Sequence, residues 1–108
     1  MDPVSLIVAA CVASLTADVT KYDDKEVFDS CQAFKTYLWS KVETSEDTKM
    51  TLIALEKSPD SEGRQHSMKM ELLIMGIEKD PVLIHLAQTL LKQLDAKGTQ
   101  SGKYIVDN

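Results

Sequence analysis

The chain has 108 residues, 44% of them hydrophobic and 27% charged, which suits one globular domain with its own core and argues against wholesale disorder. Seventeen acids against twelve bases leave a formal charge of −5. That balance argues against nucleic acid as a partner and gives no electrostatic pull toward anionic lipid.

The first predicted element runs from about Pro3 to Lys21. Asp2 can accept from the first-turn N–H groups, and Pro3 suits the first helical position because its missing N–H had no partner there. From Val4 to Ala13 only Ser5 is polar. A helix apolar on all sides must be enclosed by protein or lipid, whereas a surface helix keeps a polar face. Asp2 stands where a secretory signal would be positive. Pro3 to Ala17 would make only ~22 Å of helix, short of a ~30 Å hydrocarbon core. Ala9, Ala13 and Ala17 fall on one line, with Ala10 and Ser14 alongside. Such a line either lets helices approach closely or reflects alanine's helix propensity, and both readings stand.

A second helix is predicted from Asp23, with Glu26 completing a capping-box-like pair. Its apolar positions are Val27, Phe28, Cys31, Phe34, Tyr37, Leu38 and Val42. Ser45 caps a third, with Glu46 and Asp47 at the positive end of its dipole and Met50, Leu52, Ile53 and Leu55 as its apolar content. Ser58-Pro59 repeats the cap-then-proline signal for a fourth, which carries Met68, Met70, Leu72, Leu73, Ile74, Met75 and Ile77. Asp80-Pro81 opens a fifth, with Val82, Leu83, Leu86, Ala87, Leu90, Leu91 and Leu94 on one side and Gly98 to close it. The connections are short, so the expectation is an all-α fold, a compact bundle of four to five helices over residues 1–97 with the first helix deeply inserted. Residues 98–108 read as a flexible linker and an extended tail, Lys103-Tyr104-Ile105-Val106 having strand-like content.

No pattern for chemistry emerges. His66 and His85 share no metal-ligand spacing, His66 reading as solvated and His85 as a satisfied, partly buried side chain. No serine sits in a nucleophile elbow, and the four glycines form no phosphate-binding loop. Cys11 and Cys31 read as buried reduced thiols. Met68, Met70 and Met75 fit either core packing or an adaptable groove, and Trp39 beside Tyr37 fits either an interface or half-burial. The expectation is therefore a protein that is not an enzyme and uses no cofactor and no metal.

The opening Met-Asp-Pro-Val-Ser-Leu-Ile-Val-Ala-Ala, the second helix with Phe34, Tyr37 and Leu38, the segment Leu55-Glu56-Lys57-Ser58-Pro59-Asp60-Ser61, and Asp80-Pro81 followed by Leu86-Ala87-Gln88 and Leu90-Leu91 resemble the small bacterial Bell domains. These are counterparts of the fungal HeLo and HELL cell-death domains. The resemblance covers nearly the whole chain as an order of elements. It implies the N-terminal effector of a bacterial amyloid-signalling, antiviral cell-death system, cytoplasmic at rest and at the membrane when activated. Gly102 to Asn108 resembles the lead-in to an amyloid motif lying beyond Asn108. A nucleotide-binding, NLR-like receptor carrying the same motif would cluster the bundles as a homo-oligomer. The first helix would then enter membrane lipid and permeabilise it, with Val4, Leu6, Ile7, Val8, Val12 and Leu15 carrying the insertion and Ala9, Ala13 and Ala17 packing the helices. Family members are expected to be glycine-rich in this helix, and here those places hold Ala, Cys and Ser. A competing expectation is a helical adaptor that recruits a partner in bacterial immune signalling and never touches lipid.

Overall fold

A computed structural model gives the fold, and residues 2–16 and 25–96 are described. The helices are α1 (Pro3–Thr16), α2 (Lys25–Val42), α3 (Glu46–Lys57), α4 (Glu62–Met75) and α5 (Pro81–Ala96), with one 3₁₀ turn, Ile77–Lys79, before α5. No strand occurs among the described residues. The strand-like tail, the Asp23 start, the first helix beyond Thr16 and Ala17 lie outside them.

Local chemistry sets most of the boundaries. Asp2 Oδ1 accepts from Ser5 N at 2.8 Å, and Ser45 Oγ accepts from Thr48 N at 3.4 Å. Asp80 Oδ1 accepts from Val82 N at 2.9 Å and from Leu83 N at 3.4 Å. All three caps were legible in sequence. The fourth start was not. Ser58 closes α3, its N–H donating to Ala54 O and Leu55 O, and Ser61 is the cap of α4, accepting from Arg64 N at 3.3 Å. A proline one residue after a helix end blocks its continuation as readily as it opens the next. The fourth helix also stops sooner than its apolar run suggests. Gly76 at φ +74° takes the left-handed position after Met75, its N–H bonding Leu73 O at 3.1 Å, and Ile77 falls in the 3₁₀ turn.

The helices pair off. α2 packs along α5 and α3 along α4, while α1 lies between these pairs, chiefly against α5 and α4. Polar clasps hold each pair. Tyr37 Oη donates to Asp80 Oδ2 at 2.7 Å across α2 and α5. Thr48 Oγ1 donates to Glu71 Oε2 at 3.3 Å, and Arg64 Nη1 to Ala54 O at 2.7 Å, across α3 and α4. The core joins Leu6, Ile7, Val27, Phe34, Val42, Leu55, Met68, Leu72, Leu83 and Leu90, all fully buried. A radius of gyration of 13.0 Å is what a compact chain of this length shows.

Several apolar positions expected inside are outside. Phe28, Met50 and Val82 are each about half exposed, as are Met70 and Leu73, and Ile74 is 74% exposed. Helical spacing fixes which residues share a face, but the width of the buried stripe depends on which neighbours arrive. The methionines divide accordingly: Met68 is core, Met75 is partly covered and Met70 faces outward. His85 is exposed rather than partly buried, because the buried stripe of α5 runs through Leu83, Ala87, Leu90, Leu91 and Leu94.

Candidate functional site: the enclosed first helix

Helix α1 carries no charged side chain along its 14 residues. Val4, Leu6, Ile7, Val8, Ala10, Cys11, Ala13 and Ser14 are buried, and they point to most sides of the helix. Beyond Pro3, which is exposed at the start of the helix, only a narrow strip, Ser5, Ala9, Val12 and Thr16, at steps of three and four, reaches the surface, with Leu15 beside it. Of the six residues expected to carry insertion, Val4, Leu6, Ile7 and Val8 are therefore shut inside, while Val12 and Leu15 are partly exposed. The line of alanines is divided. Ala13 is buried with Ala10 and Ser14, and Ala9 lies on the outer strip.

Among the described residues the side-chain hydrogen bonds of α1 are local to it. Asp2 caps it, Ser14 Oγ donates back to Cys11 O at 2.8 Å, and Thr16 Oγ1 donates back to Val12 O at 2.8 Å. No side chain of α1 makes a hydrogen bond or ion pair to another described helix. Among the described residues its side chains meet the other helices by apolar packing, each fully buried Leu or Ile contributing about 1.5–3 kcal/mol. The Ser5 N–H bond to Asp2 holds that carboxyl below its usual range. Burial pushes the Cys11 thiol up to about 12, so at neutral pH it is neither ionised nor reachable. Burial raises the Cys31 thiol as well.

Beside the second half of α1, a small cleft of about 70 Å³ opens between α1, α2 and α3. Cys11, Ser14, Leu15, Phe34, Leu38 and Leu52 line it, and Lys35, Trp39 and Glu56 complete its walls toward solvent. No sequence signal announced it, since three helices supply its lining. Trp39 was legible as either an interface residue or a half-buried one, and Asp80 only as a cap rather than as a bond to Tyr37 from 43 residues away. Among the described residues no group of three His, Cys, Asp or Glu could hold a metal ion.

The model of one protein family, the Het-E N-terminal domain, matches residues 1–107. The chain belongs to the Het-E N-terminal domain family. That places it among helical domains associated with incompatibility and cell-death proteins. No curated protein and no solved structure matches it. Among the described residues of this family member, no helix is long and apolar enough to cross a membrane.

Proposed function

We propose that this chain is a non-catalytic effector of the Bell type, serving a bacterial amyloid-signalling, antiviral cell-death system. A nucleotide-binding receptor with a matching motif clusters the bundles, α1 leaves its shelter, and its apolar surface enters and permeabilises the membrane. The protein rests in the cytoplasm and moves to the membrane on activation. The observation that carries this reading is the enclosure of α1: apolar on nearly every side, charge-free and, among the described residues, joined to the other helices by no side-chain polar bond. None of the α2–α5 and α3–α4 clasps involves a residue of α1. At 14 residues α1 is ~21 Å long, less than a hydrocarbon core, so several copies thin or disorder the bilayer rather than each crossing it.

The test brings the full chain together on dye-loaded vesicles through a multivalent tag. Dye escapes on clustering, and in a Cys31→Ser background Cys11 becomes open to a thiol reagent at the same time. Leu15→Asp, at a partly exposed position, keeps the fold and abolishes release. Vesicles that stay sealed at every protein density sink the proposal. Val8→Asp is a poor substitute, because Val8 is buried and a charge there unfolds the bundle itself.

A second reading, the adaptor, draws on a different face. Met70, Leu73 and Ile74 lie together at steps of one, three and four on α4 and are exposed. If Ile74→Asp silences the full-length system while clustered protein still leaks vesicles, recruitment through α4 is the better account.

A further inference from the structure

The cleft of about 70 Å³ has walls from three helices, and three of its lining residues, Cys11, Ser14 and Leu15, belong to α1. Whatever fills it therefore meets a complete site only while α1 is docked. The interior is apolar apart from Ser14, whose hydroxyl is already used on Cys11 O. Its volume is under half of the ~150 Å³ that accommodates benzene in an engineered protein cavity, so it admits an alkyl end rather than a ring. At the solvent side stand one cation on α2, Lys35, and one anion on α3, Glu56. Neither has an ion-pair partner among the described residues. Trp39 completes the wall, an amphipathic ring of the kind that seats at boundaries between apolar chains and water.

We propose that this cleft binds the alkyl end of a single-chain amphiphile whose head carries both charges and no net charge, and that the occupant holds α1 docked. Lys35 faces the anionic part of the head and Glu56 the cationic part. The holding effect rests on the reading that α1 undocks, and follows from linkage: a ligand that binds only the docked state opposes release in proportion to its saturation.

Trp39 is the chain's one tryptophan, so its emission reports on the site directly. The full chain is titrated with a short-chain alkyl phosphocholine below its micelle threshold, with the matched alkyl sulfate as comparison. A saturable one-to-one emission change is expected, weaker with the sulfate and lost in Ser14→Leu and in Leu52→Phe, which fill the cleft from α1 and from α3. In a Cys31→Ser background, labelling of Cys11 slows roughly tenfold at ligand ten times above Kd. No saturable change, or one undiminished in whichever filled variant folds, overturns the site. Equal affinity for the sulfate overturns the assigned head group. Unslowed labelling at saturation overturns the holding role. Sealed vesicles in the leakage test would instead sink the effector reading and leave binding intact.

Discussion

Asp80 does two jobs with one carboxylate. Oδ1 caps α5, while Oδ2 accepts from Tyr37 Oη and lies 3.9 Å from Lys41 Nζ, itself 5.2 Å from the Tyr37 ring centre. The Tyr37 hydrogen bond, then the Leu83 and Val82 N–H groups and the Lys41 charge, hold Asp80 below the usual carboxylate range, while the same bond to Asp80 raises Tyr37. The signs follow from linkage. The Asp80 contribution is present above its unfolded value and fades as pH falls through its lowered one. The Tyr37 contribution is present below its unfolded value, near 10, and fades as pH rises through the raised one. Stability should therefore drop on acidification below about pH 4 and again above about pH 10. In Tyr37→Phe the acid limb should move to higher pH and the alkaline loss should shrink, read from urea midpoints across pH. Asp80→Ala should cost about 1 kcal/mol through the lost cap, whereas Asp80→Asn keeps the cap and flattens the acid limb. Two glycines give a second pair of opposite signs. Gly76→Ala should destabilise by ~1 kcal/mol, because φ is +74° although the space beside it is open. Gly63→Ala meets only an ordinary contact, with Ser61 Oγ at 3.9 Å, and should stabilise by up to ~1 kcal/mol in thermal melts.

Apolar character alone does not place a side chain in the core. Leu6 on α1 and Ile74 on α4 are both large aliphatics in helices, yet Leu6 is fully buried and Ile74 is the most exposed large apolar side chain among the described residues. Leu6→Ala should cost about 2–5 kcal/mol in urea unfolding, and Ile74→Ala no more than about 0.5. The sequence pattern told these helices apart only at α1, where apolar residues on every side leave no choice but enclosure. Elsewhere the pattern set the axis of each buried stripe and overstated its width, as Phe28, Met50 and Val82 show. Caps at Asp2, Ser45 and Asp80 were readable because capping closes within three residues. Ser58-Pro59 against Ser61 was not, since both are serines in one short polar turn and only backbone geometry tells end from start. The residues proposed to carry insertion were read as one set. The fold separates Leu6 and Ile7, which insertion would have to uncover, from Val12 and Leu15, which already touch solvent. The cleft and the Tyr37 clasp lay beyond any local signal, because each joins residues that only the packed bundle brings together.

For the molecule as a whole, the proposed membrane action sets the enclosed helix against the chain's net negative charge. The chain carries −5 overall, so an anionic vesicle repels the docked bundle, and on the proposed reading the attraction comes chiefly from the apolar surface that α1 adds when it undocks. Charge-neutral vesicles should therefore leak faster than vesicles rich in anionic lipid at the same density of clustered protein. Added salt should narrow that gap by screening, since the Debye length shrinks from ~10 Å at 0.1 M to ~3 Å at 1 M. It should leave leakage from neutral vesicles almost unchanged. A conventional basic amphipathic helix behaves the other way, preferring anionic lipid and losing activity in salt. Initial leakage rates on two lipid compositions at two salt concentrations separate these cases. Faster leakage from the anionic vesicles would mean that lysines, rather than the charge-free α1, drive contact with the bilayer.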